Sequence, residues 1–272
     1  MRKGELPLWI VSDDLWERIE PLLPRWEYAL PELGRKRIPD RQVLQGILFV
    51  LYTGIQWEFL PQELRFRIRD DVLAASGRVE RGRGVATVAR GAFGRVERGE
   101  EAGLVAGGDR QLTRTCGTPW PKSGPSPVDR ARPGSKHHVI TEGGGIALAA
   151  SLTAGNINDV TQLLPLVEAI PPVRGRRGRP RRRPDALYAD RAYDSAKHRD
   201  ELQGMGIEPQ IVQRGEDHGS GRHNQVGRGA HDRVYHGMRR LRIRWERRDD
   251  IHETFLGLAT CVICCRHVKS LC

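Results

Sequence analysis

The chain has 272 residues and carries 45 Lys and Arg against 34 Asp and Glu, a formal charge of +11. That length accommodates one large domain or two small ones, and the excess of cations favours a polyanionic partner. The longest apolar run, residues 255–265, falls far short of the roughly 20 residues that cross a bilayer, which excludes a membrane span.

The remaining bulk features point the same way. Arg2 and Lys3 are followed by too few apolar residues before Asp13 and Asp14 for a signal peptide. Three of the five Cys crowd at Cys261, Cys264 and Cys265, which is not a disulfide framework. A reducing, cytoplasmic compartment is the expectation.

In chain order, Leu15, Trp16, Ile19, Leu22 and Leu23 recur at helical spacing behind Ser12, with Asp13 and Asp14 in the first turn, so residues 12–23 read as a helix. Asp40 opens a second helix whose Val43, Leu44, Ile47, Leu48 and Leu51 form one face, stopped at Gly54. Trp57, Phe59, Leu60 and Leu64 supply a third surface, which makes residues 1–68 a small helical domain. Composition then breaks: between Ser76 and Gly117 there are ten Gly, eight Arg and one aromatic, with no apolar period. Residues 69–122 are expected to be disordered or scrambled, and composition alone reads them as a flexible basic linker.

Order resumes over 123–272. Residues 136–141 and 146–153, joined across Gly143, Gly144 and Gly145, read as a hairpin, followed by a helix over 159–170. The Arg-rich stretch 171–184 reads as an exposed loop. A short strand ending at Asp190, a helix over 195–205, a strand at 209–212 and a last helix over 250–268 complete an α/β order.

Several blocks are recognisable. Residues 44–61 (LQGILFVLYTGIQWEFLP), 124–141 (GPSPVDRARPGSKHHVIT), 155–183 (GNINDVTQLLPLVEAIPPVRGRRGRPRRR), 189–194 (ADRAYD) and 238–255 (MRRLRIRWERRDDIHETF) resemble, in order, the small transposases of bacterial insertion sequences, of the DDE class and IS5-like or IS4-like type. The resemblance implies an RNase H-like mixed sheet with flanking helices, preceded by a small helical, helix-turn-helix-like DNA-binding domain. It also implies two Asp and one Glu holding two Mg²⁺ ions, which activate a water or 3′-hydroxyl and stabilise the leaving oxygen in attack on a phosphodiester. Asp190, at the end of a predicted central strand, matches the second Asp and is the candidate catalytic and metal-binding residue. The partner is double-stranded DNA at terminal inverted repeats, and a homo-oligomer is compatible with the family.

The other two carboxylates are missing where the resemblance puts them. With codons chosen freely, residues 103–116 (GLVAGGDRQLTRTC) read one nucleotide later give DWSRAVIDSSHVRA, and residues 228–233 (RGAHDR) give VERTIA, both like the family's missing segments. Residues 70–75 (DDVLAA) likewise give MTCWRR. Two frameshifted stretches, each restored downstream, account for the three matches. The lost Asp overlaps Arg110 and the lost Glu overlaps Gly229, so the expectation is weak Mg²⁺ binding and a transposase defective in cleavage, unless carboxylates such as Glu246 or Asp250 complete the site. The alternative is a non-catalytic DNA-binding protein or regulator at the element's terminal repeats.

The remaining signals are electrostatic. Arg174, Arg176, Arg177 and Arg179 form a candidate phosphate-binding arm, joined by Arg239 and Arg240 in a second Arg cluster that runs on to Arg242, Arg244, Arg247 and Arg248. Cys261, Cys264, Cys265 and His267 suggest zinc, but no second Cys pair exists and the apolar side of a helix favours a core role. His137 and His138, neighbours on a strand, face opposite sides, and neither is assigned to catalysis.

Overall fold

The computed structural model describes residues 7–23, 38–61, 63, 101–113, 120–127, 130–143, 146–173, 180–211, 213, 235 and 237–270. The first helix, α1, covers Asp13–Ile19; Ser12 sits at its N-cap in extended backbone but makes no side-chain capping bond, and Asp13 and Asp14 supply the favourable first-turn charge instead. Pro21 turns the continuation into a single 3-10 turn at Glu20–Leu22. Helix α2 covers Asp40–Thr53 behind Pro39, so Asp40 is its first residue, and it ends at Gly54. Gly54 has φ +73° and a Cβ there would come within 2.9 Å of Arg239 Cβ, so glycine serves both the helix stop and the close approach of the 3-10 turn Arg239–Leu241.

Seven strands form one sheet among the described residues: β1 Glu101–Thr113, β2 Gly124–Pro125, β3 Pro133–Glu142, β4 Ala147–Ala154, β5 Ala186–Ala189, β6 Glu208–Ile211 and β7 Ile243–Arg244. The body of the sheet runs β4-β3-β1-β5-β6. β3 and β4 form an antiparallel hairpin, β3 is antiparallel to β1, and β1, β5 and β6 are mutually parallel. Short β2 continues the β4 edge beside Gly134, and β7 continues the β5 edge beside Leu112 and Thr113.

The stretch expected to be scrambled therefore contributes the central strand: β1 pairs with β3 along most of its length and with β5 at Glu101–Leu104. This corrects the reading of residues 69–122 at Glu101–Thr113. A ladder is made by main-chain N–H and C=O groups, which a Gly-rich segment possesses in full, and strand preference depends on flanking partners more than on intrinsic propensity. Its weakness appears as an irregularity between Ala106 and Arg110, where the register against β3 shifts.

Helices cover both faces. On one side, Val139 and Ala147 of the sheet pack with Val43, Ile47, Val50 and Leu51 of α2, with Tyr235, Met238 and Leu241, and with Phe255, Leu256 and Ala259 of the last helix, α5 (Asp249–Ser270). On the other, Ile140, Leu148 and Leu187 pack with Leu163, Leu166 and Val167 of α3 (Leu163–Glu168), Leu202 of α4 (Ala196–Gly204) and Tyr193. Alternation along β3 sends successive residues to opposite layers. The described N-terminal helices thus share a core with α5 instead of closing one of their own. Among the described residues, no helix is long and apolar enough to cross a membrane.

Candidate active site and nucleic-acid interface

Asp190 follows β5 directly and caps the 3-10 turn Arg191–Tyr193, its Oδ1 accepting the Arg191 N–H at 2.7 Å. Its side chain is exposed at the end of the central strands. Leu104 of β1 stands opposite Ala189, so the β1 positions that follow alongside Asp190 are Val105 and Ala106, neither of them acidic.

The turn behind Asp190 is anchored by polar side chains. Tyr193 is fully buried, and its hydroxyl meets His138 Nδ1 at 3.0 Å while His138 Nε2 meets Thr153 Oγ1 at 2.7 Å. Burial, with a smaller push from Lys136 and an opposing pull from Asp159, lowers the His138 pKa to about 4, so its ring is neutral at pH 7. Two hydroxyls, each able to donate or accept, suit a neutral imidazole. Burial raises the Tyr193 pKa, reinforced by Asp159 and Asp190, so it stays a phenol. Asp159, the nearby carboxylate, is ion-paired with Lys136 Nζ at 2.8 Å, and the same ammonium donates to the Ile157 carbonyl at 2.8 Å.

His137 faces the opposite layer, as adjacent strand positions must. There it joins a buried chain that sequence reasoning missed. Arg240 Nε donates to Glu246 Oε1 at 2.7 Å and its Nη1 to the Ile55 carbonyl at 2.7 Å, while Glu246 Oε2 lies 3.3 Å from His252 Nδ1 and His252 Nε2 3.0 Å from His137 Nε2. Burial alone would raise the Glu246 pKa, but the His252 hydrogen bond and the Arg240 charge outweigh it and hold it below the usual range. Glu246 Oε2 accepts from His252 Nδ1–H, and the tautomers of His252 and His137 set which Nε2 donates across their contact. The guanidinium of Arg240 also lies 6.0 Å from the Trp57 ring centroid and 5.8 Å from that of Phe255.

Arg240 is 2% exposed and fully engaged, so its assignment to DNA is corrected: it joins α2's exit, the 3-10 turn and α5. Arg244 of the same cluster is also buried, donating to the Glu246 carbonyl, the Lys122 carbonyl and Ser135 Oγ. The signal available in the sequence was Glu246, a lone acid in an arginine run. Arg239 is exposed, whereas Arg174, Arg176, Arg177 and Arg179 lie outside the described residues. Glu246 is engaged in this network and Asp250 pairs with Arg248.

A metal fares poorly on these residues. No group of three or more His, Cys, Asp or Glu able to hold an ion occurs among the described residues. His138 has both nitrogens occupied, and Asp159 is neutralised by Lys136. Cys261 and Cys264 are buried free thiols; burial raises the first to about 12 and the second further, and Cys264 Sγ–H points to the Ala147 carbonyl at 3.4 Å, which favours the core reading over zinc.

Comparison with known proteins agrees with the geometry. Residues 11–70 match the family described as "Putative transposase of IS4/5 family", and residues 108–247 match "Transposase DDE domain". The "Putative transposase for insertion sequence element IS402" of Burkholderia cepacia is 48% identical over 200 residues, covering 73% of this chain and 94% of that protein. An uncharacterised 16.2 kDa protein of the same insertion element is 46% identical over 56 residues, 20% of this chain and 38% of that protein. No solved structure matches. That family uses divalent metal ions and acts on DNA, and its domain implies the RNase H-like α/β fold. A mixed sheet with a carboxylate at the end of its central strands, and family matches over most of the described length, lead to one conclusion: the chain belongs to the DDE transposases of the IS4/IS5 insertion-sequence families.

Proposed function

We propose that this transposase binds double-stranded DNA at the terminal inverted repeats of its element but is defective in strand cleavage and joining. The observation that carries the reading is the register of β1 against the strand that ends at Asp190: the β1 positions level with it are Val105 and Ala106, where a two-metal site needs a second carboxylate. Two frameshifted stretches in the coding sequence explain the loss, since the shifted frame supplies an Asp over Arg110 and a Glu over Gly229. With one carboxylate, Mg²⁺ affinity is weak and the geometry for in-line attack is lost. The N-terminal helices are assigned to a helix-turn-helix-like role on DNA, the compartment to the cytoplasm, and a homo-oligomer to the active assembly.

The coding region read in three forward frames, followed by a nicking assay, tests this. Restoring both frames should give Mg²⁺-dependent cleavage of the element's ends that Asp190→Ala abolishes, while the chain as given shows none with or without that substitution. Metal-dependent nicking by the chain as given, lost in Asp190→Ala, would overturn the proposal. Absent shifted-frame strings would leave the missing carboxylates as genuine divergence and favour the alternative, a non-catalytic regulator occupying the same repeats.

A further inference from the structure

Among the described residues, three non-glycine residues adopt a left-handed backbone: Lys122 at φ 51°, Arg130 at φ 53° and Ala131 at φ 59°. Arg130 and Ala131 lie in the β2–β3 connection, and Lys122 in the turn that leads into β2. Such conformations cost on the order of 1 kcal/mol each and gather where the fold over-determines a functional segment. The tip is closed by two main-chain bonds, Ser126 N–H to the Arg132 carbonyl at 2.9 Å and Ala131 N–H to the Ser126 carbonyl at 3.1 Å, and it holds Arg130 and Arg132 in solvent.

Pairing sets the hairpin beside a second basic segment. Gly124, Gly134, Leu112 and Ile243 form one row across β2, β3, β1 and β7. Three strand spacings of about 4.8 Å put β7 about 15 Å from β2. Exposed Arg242 and Arg247 flank β7, and buried Arg244 between them donates to Lys122 O and Ser135 Oγ at the hairpin's base. Ser135 Oγ–H donates in turn to the Lys122 carbonyl at 2.7 Å. Arg244 is thus a positioning residue that locks two cationic segments into one rigid platform. Among the described residues, the acids at the base are paired locally, Asp249 and Glu253 with Lys122 and Asp250 with Arg248, and with Asp129 in the tip counted the four exposed arginines still outnumber the remaining acid.

We infer that this platform, Arg130 and Arg132 with Arg242 and Arg247, grips the phosphate backbone of duplex DNA. The platform lies towards the end of β1 beyond Asp190: Leu104 is level with Ala189 and with Ile140 of β3, and Leu112 with Gly134, so along unbulged β3 the rise is roughly 20 Å at about 3.3 Å per residue. That is the length of about six base pairs, and a duplex is stiff on this scale, so one short rod is long enough to span Asp190 and the arginine pairs. The inference rests on the reading that DNA is the partner and names the surface that holds it.

The test uses the full chain and a 30-base-pair duplex, with affinity measured across a salt series. Each lost phosphate contact lowers the slope of log K against log salt by about 0.9, so Arg130→Gln/Arg132→Gln should lower it by about 2 and weaken binding about 30-fold at 0.15 M salt. Arg242→Gln/Arg247→Gln should do the same. Lys197→Gln, which removes an exposed charge from α4, should change the slope by well under one. Because the four arginines are exposed, thermal melts should coincide with the parent's. Slope changes per charge no larger than those of Lys197→Gln, with parent binding intact, would overturn the platform and leave the DNA reading standing. An equal loss on a single strand of the same length would overturn the duplex assignment. A parent chain that fails to bind duplex at low salt would overturn both.

Discussion

The two sides of the sheet are built from the same strands yet carry opposite chemical endowments. On the α2 and α5 side, Arg240, Glu246, His252 and His137 form a buried chain in which every charge meets a partner. On the α3 and α4 side, Tyr193 and His138 anchor the turn behind Asp190 equally well, but the β1 positions level with that carboxylate, Val105 and Ala106, are not acidic. Tyr193 and His138 are buried, so losing them would cost folding energy, whereas losing an exposed carboxylate such as Asp190 would cost function alone.

The comparison breaks most sharply at Glu246. Glu246→Ala leaves the Arg240 guanidinium buried without its counter-charge, and a penalty of about 3–5 kcal/mol is expected in urea unfolding. A cost under about 1 kcal/mol would mean the network is not the strut described.

On the other face the lever is pH. His138 has a folded pKa of about 4 against 6.5 for the free group, so the unfolded chain binds the extra proton between these values. Stability is therefore full above pH 6.5 and falls as the pH drops toward 4, by up to about 3 kcal/mol. His138→Gln should flatten that part of the profile, and a dependence left unchanged by the substitution would reassign it to another group.

The smallest effect sharpens the hairpin. Ala131 holds φ 59° at an exposed tip, where glycine removes the Cβ clash of left-handed backbone. Ala131→Gly is expected to raise stability by up to about 1 kcal/mol in a thermal melt, with no loss of DNA affinity. Destabilisation would show that the tip's conformation is not strained.

Much of this was legible from residue spacing. The helical faces at α1 and α2, the stop at Gly54, the β3–β4 hairpin, the strand ending at Asp190 and the C-terminal helix all follow from apolar period and turn residues, which are local. β1 was not, because its ladder is supplied by β3 and β5 and leaves no period in its own sequence. The arginine cluster was misread in part for a related reason. A run of Arg announces charge, but burial of Arg240 and Arg244 depends on Glu246, Ile55 and Lys122, and two of those contacts reach 185 and 122 residues along the chain. In the candidate site, Asp190 was visible from its strand end, while the Tyr193–His138–Thr153 anchor needs three elements to meet.

The core shared by α2 and α5 also sets a timetable. Leu51 and Phe255 belong to the same buried cluster, about 200 residues apart. At a synthesis rate of about 5–20 residues per second, the apolar face of α2 waits about 10–40 s for its cover. During that interval the nascent chain presents an uncovered hydrophobic stripe. Closure of this core therefore waits until α5 has been made, and substitutions in α5 should show first as aggregation of newly made chains.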